Sequence, residues 1–281
     1  MADYMRYKSG SSDWTASDLV AYNISVYSQT PNKFYGQSLP TIASFSSSLD
    51  PNLLSGTLDT DGLSDETYRL LQYIDLASGA NLGQVTVVDD FAREILRALG
   101  YEKRDLLFRR SRYALPLSSY GMPICGSLPQ TSVSLVQGSS IILLVVQEDK
   151  TVAGISNPEP QIIREAIANF QWNNRIRIQL GEYELESMTF PCIAMTGTRP
   201  IFYLVPVTRD LSEAVAASKY PSSPTVVQRC VVTSNRLSEG METPDFRQLA
   251  LQHFIAFRTL AETHWSAFMI PEFPVETRKE D

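Results

Sequence analysis

Glu148 and Lys150 stand two positions apart at the end of the most apolar run in the chain, "IILLVVQEDK" (residues 141–150). Alternate residues of a strand share a face, so a regular strand would aim this carboxylate and this ammonium the same way, with Asp149 opposite. Such a pair has a chemical use. The carboxylate holds a hard cation such as Mg²⁺, which prefers oxygen ligands and keeps several waters. The cation lowers the pKa of a bound water and steadies charge on a phosphate, while the lysine orients that water or stabilises the developing charge. One carboxylate rarely suffices, so a second must come from a neighbouring element. The plain alternative is a same-face ion pair at a strand mouth, worth about 0–1 kcal/mol when exposed.

Other chemistries find less support. The two histidines, His253 and His264, lie in the apolar, aromatic stretch "LQHFIAFRTLAETHW", where packing is the default role. No GxSxG, HExxH, P-loop or GxGxxG pattern occurs. Cys125, Cys192 and Cys230 are odd in number and widely spaced, as expected of buried thiols in a reducing compartment rather than of a zinc site or a disulfide framework. The six aliphatic residues Ile141–Val146 are the longest such run, far short of the roughly 20 residues a membrane-spanning helix needs. The N-terminal "MADYMRYKSGSSDW" carries no apolar signal segment. An intracellular protein, cytoplasmic or nuclear, with no membrane partner is expected.

The net charge of −7 argues against a dedicated nucleic-acid coat protein but leaves room for a local basic surface. Arg93, Arg97, Lys103, Arg104, Arg109, Arg110 and Arg112 cluster within 93–112, against Glu94, Glu102 and Asp105. By default this is a solvated face.

The elements that would position these groups follow from pattern. Leu19, Tyr22 and Val26 have helical spacing in "SDLVAYNISVY", with irregular chain after them. Ser64-Asp65-Glu66 opens a helix with Leu70, Leu71 and Ile74 on its apolar face, ending near Gly79. Phe91, Ile95, Ala98 and Leu99 stripe the next helix, which Gly100 stops. Glu94 falls about 60° from the centre of that stripe at 100° per residue, on the rim of the buried face. Strands are expected in "SRYALPL", "TSVSLVQ" and "IILLVVQ", the last apolar on both faces and therefore central. "PEPQIIREAIANFQWNN" is a helix whose core face is Ile162, Ile163, Ala166 and Phe170, with Gln161 and Glu165 as i, i+4 neighbours on one flank. Two strands, "FPCIAMTG" and "PIFYLVPVT", a short helix "DLSEAVAAS" and the connection "KYPSSP" come next. A long helix then starts at Thr243-Pro244-Asp245. The sum is an α/β domain with a mixed central β-sheet flanked by helices. Residues 1–60 form an N-terminal helical and loop extension, 61–270 the domain, and 271–281 a flexible tail.

This order of elements resembles the PD-(D/E)XK nuclease superfamily: Glu94 on a helix, a β-hairpin, Glu148-x-Lys150 closing its second strand, then a helix with Gln161. More narrowly, "DLVAYNI", "QEDK", "EPQIIREAIANF" and "GTRPIFYLVPVT" look like a group of fungal proteins with that core, over most of residues 14–260. The resemblance implies a restriction-endonuclease-like core that hydrolyses phosphodiesters with Mg²⁺, or Mn²⁺ as substitute. Glu148 would bind the metal, Lys150 would be the catalytic lysine, and Glu94 the helix carboxylate that some members add. Gln161 would be the polar residue of the following helix. Arg104, Arg109, Arg110 and Arg112 would meet the phosphates of DNA or RNA. The superfamily's first acidic residue should begin the preceding strand, where Ser132 stands, and Mg²⁺ is reluctant to exchange water for a neutral hydroxyl. Either Glu94 completes the site, or Asp149 does so through a bulge, or cleavage is lost and the fold serves as a nucleic-acid- or protein-binding module. A homodimer is compatible with all of these. Trp172 and Tyr183 are candidate base-stacking residues, with core packing or plain exposure as the default.

Overall fold

Six aliphatic residues in succession need cover on both faces, and the protein builds its sheet around them. The computed structural model describes residues 14–45, 49–79, 85–111, 118–119, 122–123, 132–138, 141–149, 157–235 and 238–270. In chain order the elements are α1 (Ala16–Ala21), β1 (Ile24–Ser28), α2 (Pro31–Tyr35), α3 (Ile42–Phe45), α4 (Pro51–Ser55), α5 (Asp65–Ser78) and α6 (Val85–Ala98). Then come β2 (Leu106–Ser111), β3 (Ser118–Ser119), β4 (Met122–Pro123), β5 (Ser132–Gln137), β6 (Ile141–Asp149) and α7 (Glu159–Gln179). The chain continues with β7 (Ser187–Thr196), β8 (Arg199–Thr208), α8 (Arg209–Ala217), β9 (Thr225–Val231) and α9 (Pro244–Trp265). The main sheet has seven strands in the order β1-β9-β8-β7-β6-β5-β2. It is mixed: β1 pairs parallel with β9 and β6 parallel with β7, while the other neighbours are antiparallel.

Helices cover both faces of this sheet. Phe202 of β8 packs on His253, Phe254 and Phe257 of α9. On the other face, Asn173 of α7 reaches the sulfur of Met188 in β7. Cross-strand partners share a face, so Ile193 lies with Phe202 on the α9 side, and Cys192 lies with Tyr203 on the α7 side. Ile141 to Val146 are all buried between these layers. The α/β architecture expected from the residue pattern is the one observed, and α6-β2-β5-β6-α7-β7 has the order expected of a restriction-endonuclease-like core. No helix of the described residues is long and apolar enough to cross a membrane.

Differences from the sequence pattern have local causes. "SDLVAYNISVY" is not one helix. A capping box between Thr15 and Asp18 starts α1, and the chain leaves it through Asn23 at a φ of 53°. The β-branched "ISV" then enters the sheet as β1. Residues 14–60 thus supply a sheet strand, and Leu19, Tyr22, Phe34, Tyr35, Phe45 and Leu54 join the same core as the rest. Arg247 of α9, itself buried, donates to the carbonyls of Leu53, Gly56 and Met241 at 3.1, 2.9 and 2.7 Å. β2 lies N-terminal to "SRYALPL", and residues 112–117 are outside the described set, as is the tail 271–281. β9 follows "KYPSSP", where no strand was expected.

Two buried polar side chains carry more than their own weight. The β6–β7 ladder begins only at Val145 and Cys192, which leaves Ile142 without a β7 partner. Asn173 stands in: its Oδ1 accepts from the Ile142 N–H at 2.9 Å and its Nδ2 donates to the Ile142 carbonyl at 2.8 Å. Asn173→Leu should cost about 2–4 kcal/mol, since both backbone groups are then buried unpaired. A urea unfolding midpoint shifted by less than about 1 kcal/mol equivalent would contradict this role.

His253 is the second. Its Nδ1 lies 2.9 Å from the Tyr35 hydroxyl, and its ring stacks on Phe202. Burial pushes its pKa down to about 4. The native state therefore holds the imidazole neutral, while the unfolded chain protonates it near 6.5. Its stabilising contribution is complete above pH 6.5 and is lost as pH falls towards 4, up to about 3 kcal/mol. Stability measured against pH should lose this slope in His253→Phe.

Candidate functional site

The parallel pairing of β6 with β7 brings both strand ends to one edge. Glu148 lies beside Met195 and Asp149 beside Thr196 in the backbone register. Gly197, at a φ of 58°, turns the chain directly afterwards into β8. Asn173, late in α7, contacts Ile142 and Met188 near the beginnings of these strands. α7 therefore runs back along them, with its first turns towards their carboxyl ends. Open α/β sheets place ligands at such strand ends.

A polar ridge runs down the buried flank of α7. Gln161, Glu165, Asn169 and Asn173 follow one another at four-residue spacing. Asn173 is satisfied by β6. The other three continue from it towards the first turn of α7, with Glu165 close enough to Cys192 of β7 for its charge to be felt there. Gln161 hydrogen-bonds the Glu165 carboxylate, and Asp89 of α6, 1% exposed, adds a second negative charge nearby. Glu165 as a residue is half-buried, but among the described residues its Oε2 is closed off from solvent and has no hydrogen-bond partner. The same holds for Asn169 Oδ1 and for Thr196 Oγ1, in residues each 2% exposed. Burial pushes the Glu165 pKa up to about 7; Arg164 and the Gln161 hydrogen bond oppose the rise, and Asp89 adds to it. Burial, and then the charge of Glu165, also hold the Cys192 thiol well above its usual range.

The residues expected from sequence fall into three groups. Glu148 and Asp149 end β6 at this edge, but their side chains, that of Ser132 and all of Lys150 lie outside the described set. Ser132 opens β5 with its backbone beside Ser111. Gln161 is 8% exposed and belongs to the cluster. Glu94 does something else: its Oε2 takes Arg97 at 2.9 Å and Arg69 at 3.1 Å, closing the seam between α5 and α6. The α6 carboxylate that turns into the protein is Asp89. Its signal was present in the sequence, because Ala92 and Leu96 follow it at i+3 and i+7, but a pair of aspartates near a helix start reads as first-turn acid.

Among the basic residues, Arg97 is engaged by Glu94 and Lys103 by Glu262 at 2.7 Å. Arg104, before β2, and Arg109, within it, are exposed. Arg110 lies in β2 with its side chain outside the described residues, and Arg112 is outside them altogether. Tyr183 is 89% exposed. It follows the far end of α7, which lies roughly 20 Å along the axis from Glu165 at about 1.5 Å per residue. Trp172 packs partly against the core. Cys192 and Cys230 are buried free thiols.

No family model matches the chain, and no curated protein matches it. Among the described residues no group of three or more His, Cys, Asp or Glu side chains is arranged to hold a metal ion.

The raised Glu165 pKa has a measurable sign. A carboxyl whose native pKa lies near 7 against an ordinary 4.5 favours the native state below pH 4.5 and loses that advantage as pH rises through 7. Without added divalent cations, Glu165→Gln should match the parent near pH 4.5 and exceed it by about 1–3 kcal/mol at pH 8. Equal stabilities at both pH values would show that the carboxyl is not desolvated.

Proposed function

We propose that this chain is a nuclease-like protein that hydrolyses phosphodiester bonds of nucleic acid with the help of a divalent cation. What supports this reading is one juxtaposition. Glu148 stands near the end of β6 with its backbone beside Met195 of β7, next in sequence to the buried Thr196, whose hydroxyl oxygen has no hydrogen-bond partner among the described residues. The inward acids Asp89 and Glu165 lie on the helices α6 and α7 that cover this sheet. The element order around it is the order the nuclease resemblance implies.

A hard cation fits this donor set, since Mg²⁺ and Mn²⁺ take carboxylate, amide and hydroxyl oxygens. Glu148 would hold it from β6, with the second acid drawn from α6 or α7 in place of the neutral Ser132. Glu94 is spent on its two arginines. When bound, the cation would supply an acidified water and charge neutralisation at phosphorus. The chain's own residues would do the rest. Lys150 would orient the water or steady charge on the phosphate, and Gln161 would fix the carboxyl of Glu165. Arg104 and Arg109, exposed on the β2 side, would meet the nucleic-acid backbone.

Labelled single- and double-stranded DNA and RNA, incubated with Mg²⁺ or Mn²⁺, test this. Cleavage should appear, vanish with chelator and fall at least about 100-fold in Glu148→Ala. Cleavage that is unchanged in that variant would remove the proposal.

The position of Ser132 favours a second reading, in which the fold binds nucleic acid or protein without cutting. Binding would then survive Glu148→Ala and chelation, and nucleic-acid binding would weaken steeply with salt.

A further inference from the structure

We propose that the groove between α7 and α8 is the face through which two copies of this chain associate. The groove lies at the beginning of β7: Asn174, which lines it, bonds both backbone groups of Leu185 just ahead of that strand. Glu148 stands beside the other end of β7, so this inference does not depend on the nuclease reading.

The groove has a volume of about 390 Å³. Its banks are the stretch 170–178 of α7 and the stretch 209–216 of α8, with Phe170, Ile178 and Ala216 as apolar lining. The apolar surface continues out of it. Ile178 is 57% exposed, and Leu180 and Tyr183, in the turn that follows α7, are 40% and 89% exposed. That turn leads straight to Glu184, which lines the groove again. Single exposed apolar side chains are ordinary, but a group of them beside a concave surface marks an interaction site.

Charge says what kind of partner fits. Arg175 on α7, Arg209 and Glu213 on α8, and Glu184 are the charged residues of the lining. Arg209 is engaged, with its Nη2 3.6 Å from Glu184 and 3.0 Å from Glu186. Just outside, Arg177 pairs with Glu182 at 3.6 Å. Arg175 and Glu213 are both exposed and stand on opposite banks, and among the described residues neither side chain makes an ion pair or hydrogen bond. A nucleic acid would meet Glu182, Glu184, Glu186 and Glu213 here, on a chain of net charge −7. A second copy turned about a twofold axis presents the same patch reversed. Arg175 of each chain then meets Glu213 of the other, twice over. The exposed apolar residues are buried against their counterparts, giving an apolar centre with a charged rim.

Sedimentation of the full chain, without nucleic acid or metal, tests this. The parent should be a dimer at about 100 μM, as a dissociation constant in the micromolar range or tighter requires. Arg175→Glu and Glu213→Arg should each weaken association at least about tenfold, because each sets like charges opposite one another at both contacts. Both residues are exposed, so both variants should melt as the parent does. Mixed in equal amounts, the two variants should form a heterodimer about as tightly as the parent forms its own, since every contact again joins opposite charges. A parent that stays monomeric at that concentration overturns the proposal, and a nucleic acid or a different protein whose binding falls in Arg175→Glu would then be the true occupant. A dimer indifferent to both charge reversals overturns it as well, as do two folded, monomeric variants that fail to associate when mixed.

Discussion

The parallel pairing of β6 with β7 is the constraint on which the rest of the structure depends. Two parallel neighbours cannot be joined by a tight turn, so the chain must cross back over the sheet, and the 21-residue helix α7 does so. That crossing puts a long helix against the most apolar strands of the protein. It brings the carboxyl ends of β6 and β7 to one edge, and it lays the first turns of α7 beside them. The antiparallel partners β5 and β8 then extend the sheet on either side. α9 closes the opposite face through the aromatic contacts of Phe202.

A helix in this position is expected to face the sheet with aliphatic side chains alone. α7 does so with Ile162, Ile163, Ala166, Ile167 and Phe170, yet it also carries a row of amides and a carboxylate inward. The row divides by function. Asn173 replaces the missing strand neighbour of Ile142, and Asn174 holds Leu185, so both amides do backbone work inside the core. Glu165 and Asn169 keep oxygens that have no hydrogen-bond partner among the described residues. Natural cores match nearly all their polar atoms. Such unsatisfied acceptors are exceptions that packing alone does not explain.

Charge follows the same division. Glu94 and Arg97, which spacing alone makes candidates for a site and a phosphate surface, meet each other and Arg69 between α5 and α6. Lys103 ties the end of the α6–β2 connection to Glu262 of α9. These pairs join elements; they hold no charge in reserve for a ligand. The inward carboxylate of Glu165 is treated differently: Gln161 hydrogen-bonds it, and Arg164 moderates its charge.

By itself the sequence determined the elements that repeat a strong period or carry a strong stop. α5 begins at Ser64, whose hydroxyl accepts from Thr67, and α6 ends at Gly100 with a φ of 73°. The unbroken aliphatic run made β6 a central strand, and Gln161 was legible as the flank neighbour of Glu165 on α7. Those features are local, set by backbone geometry and by which side chains shun water. Only the tertiary structure decided that residues 24–28 pair with β9, because "ISVYS" is too short to outweigh its helical spacing until a partner strand exists. Tertiary packing also decided which acid turns inward. Glu94 and Asp89 share a helix; Ala92 and Leu96 align with Asp89 in the sequence, but the choice was settled by where Arg69 and the sheet lie, which is a matter of tertiary packing.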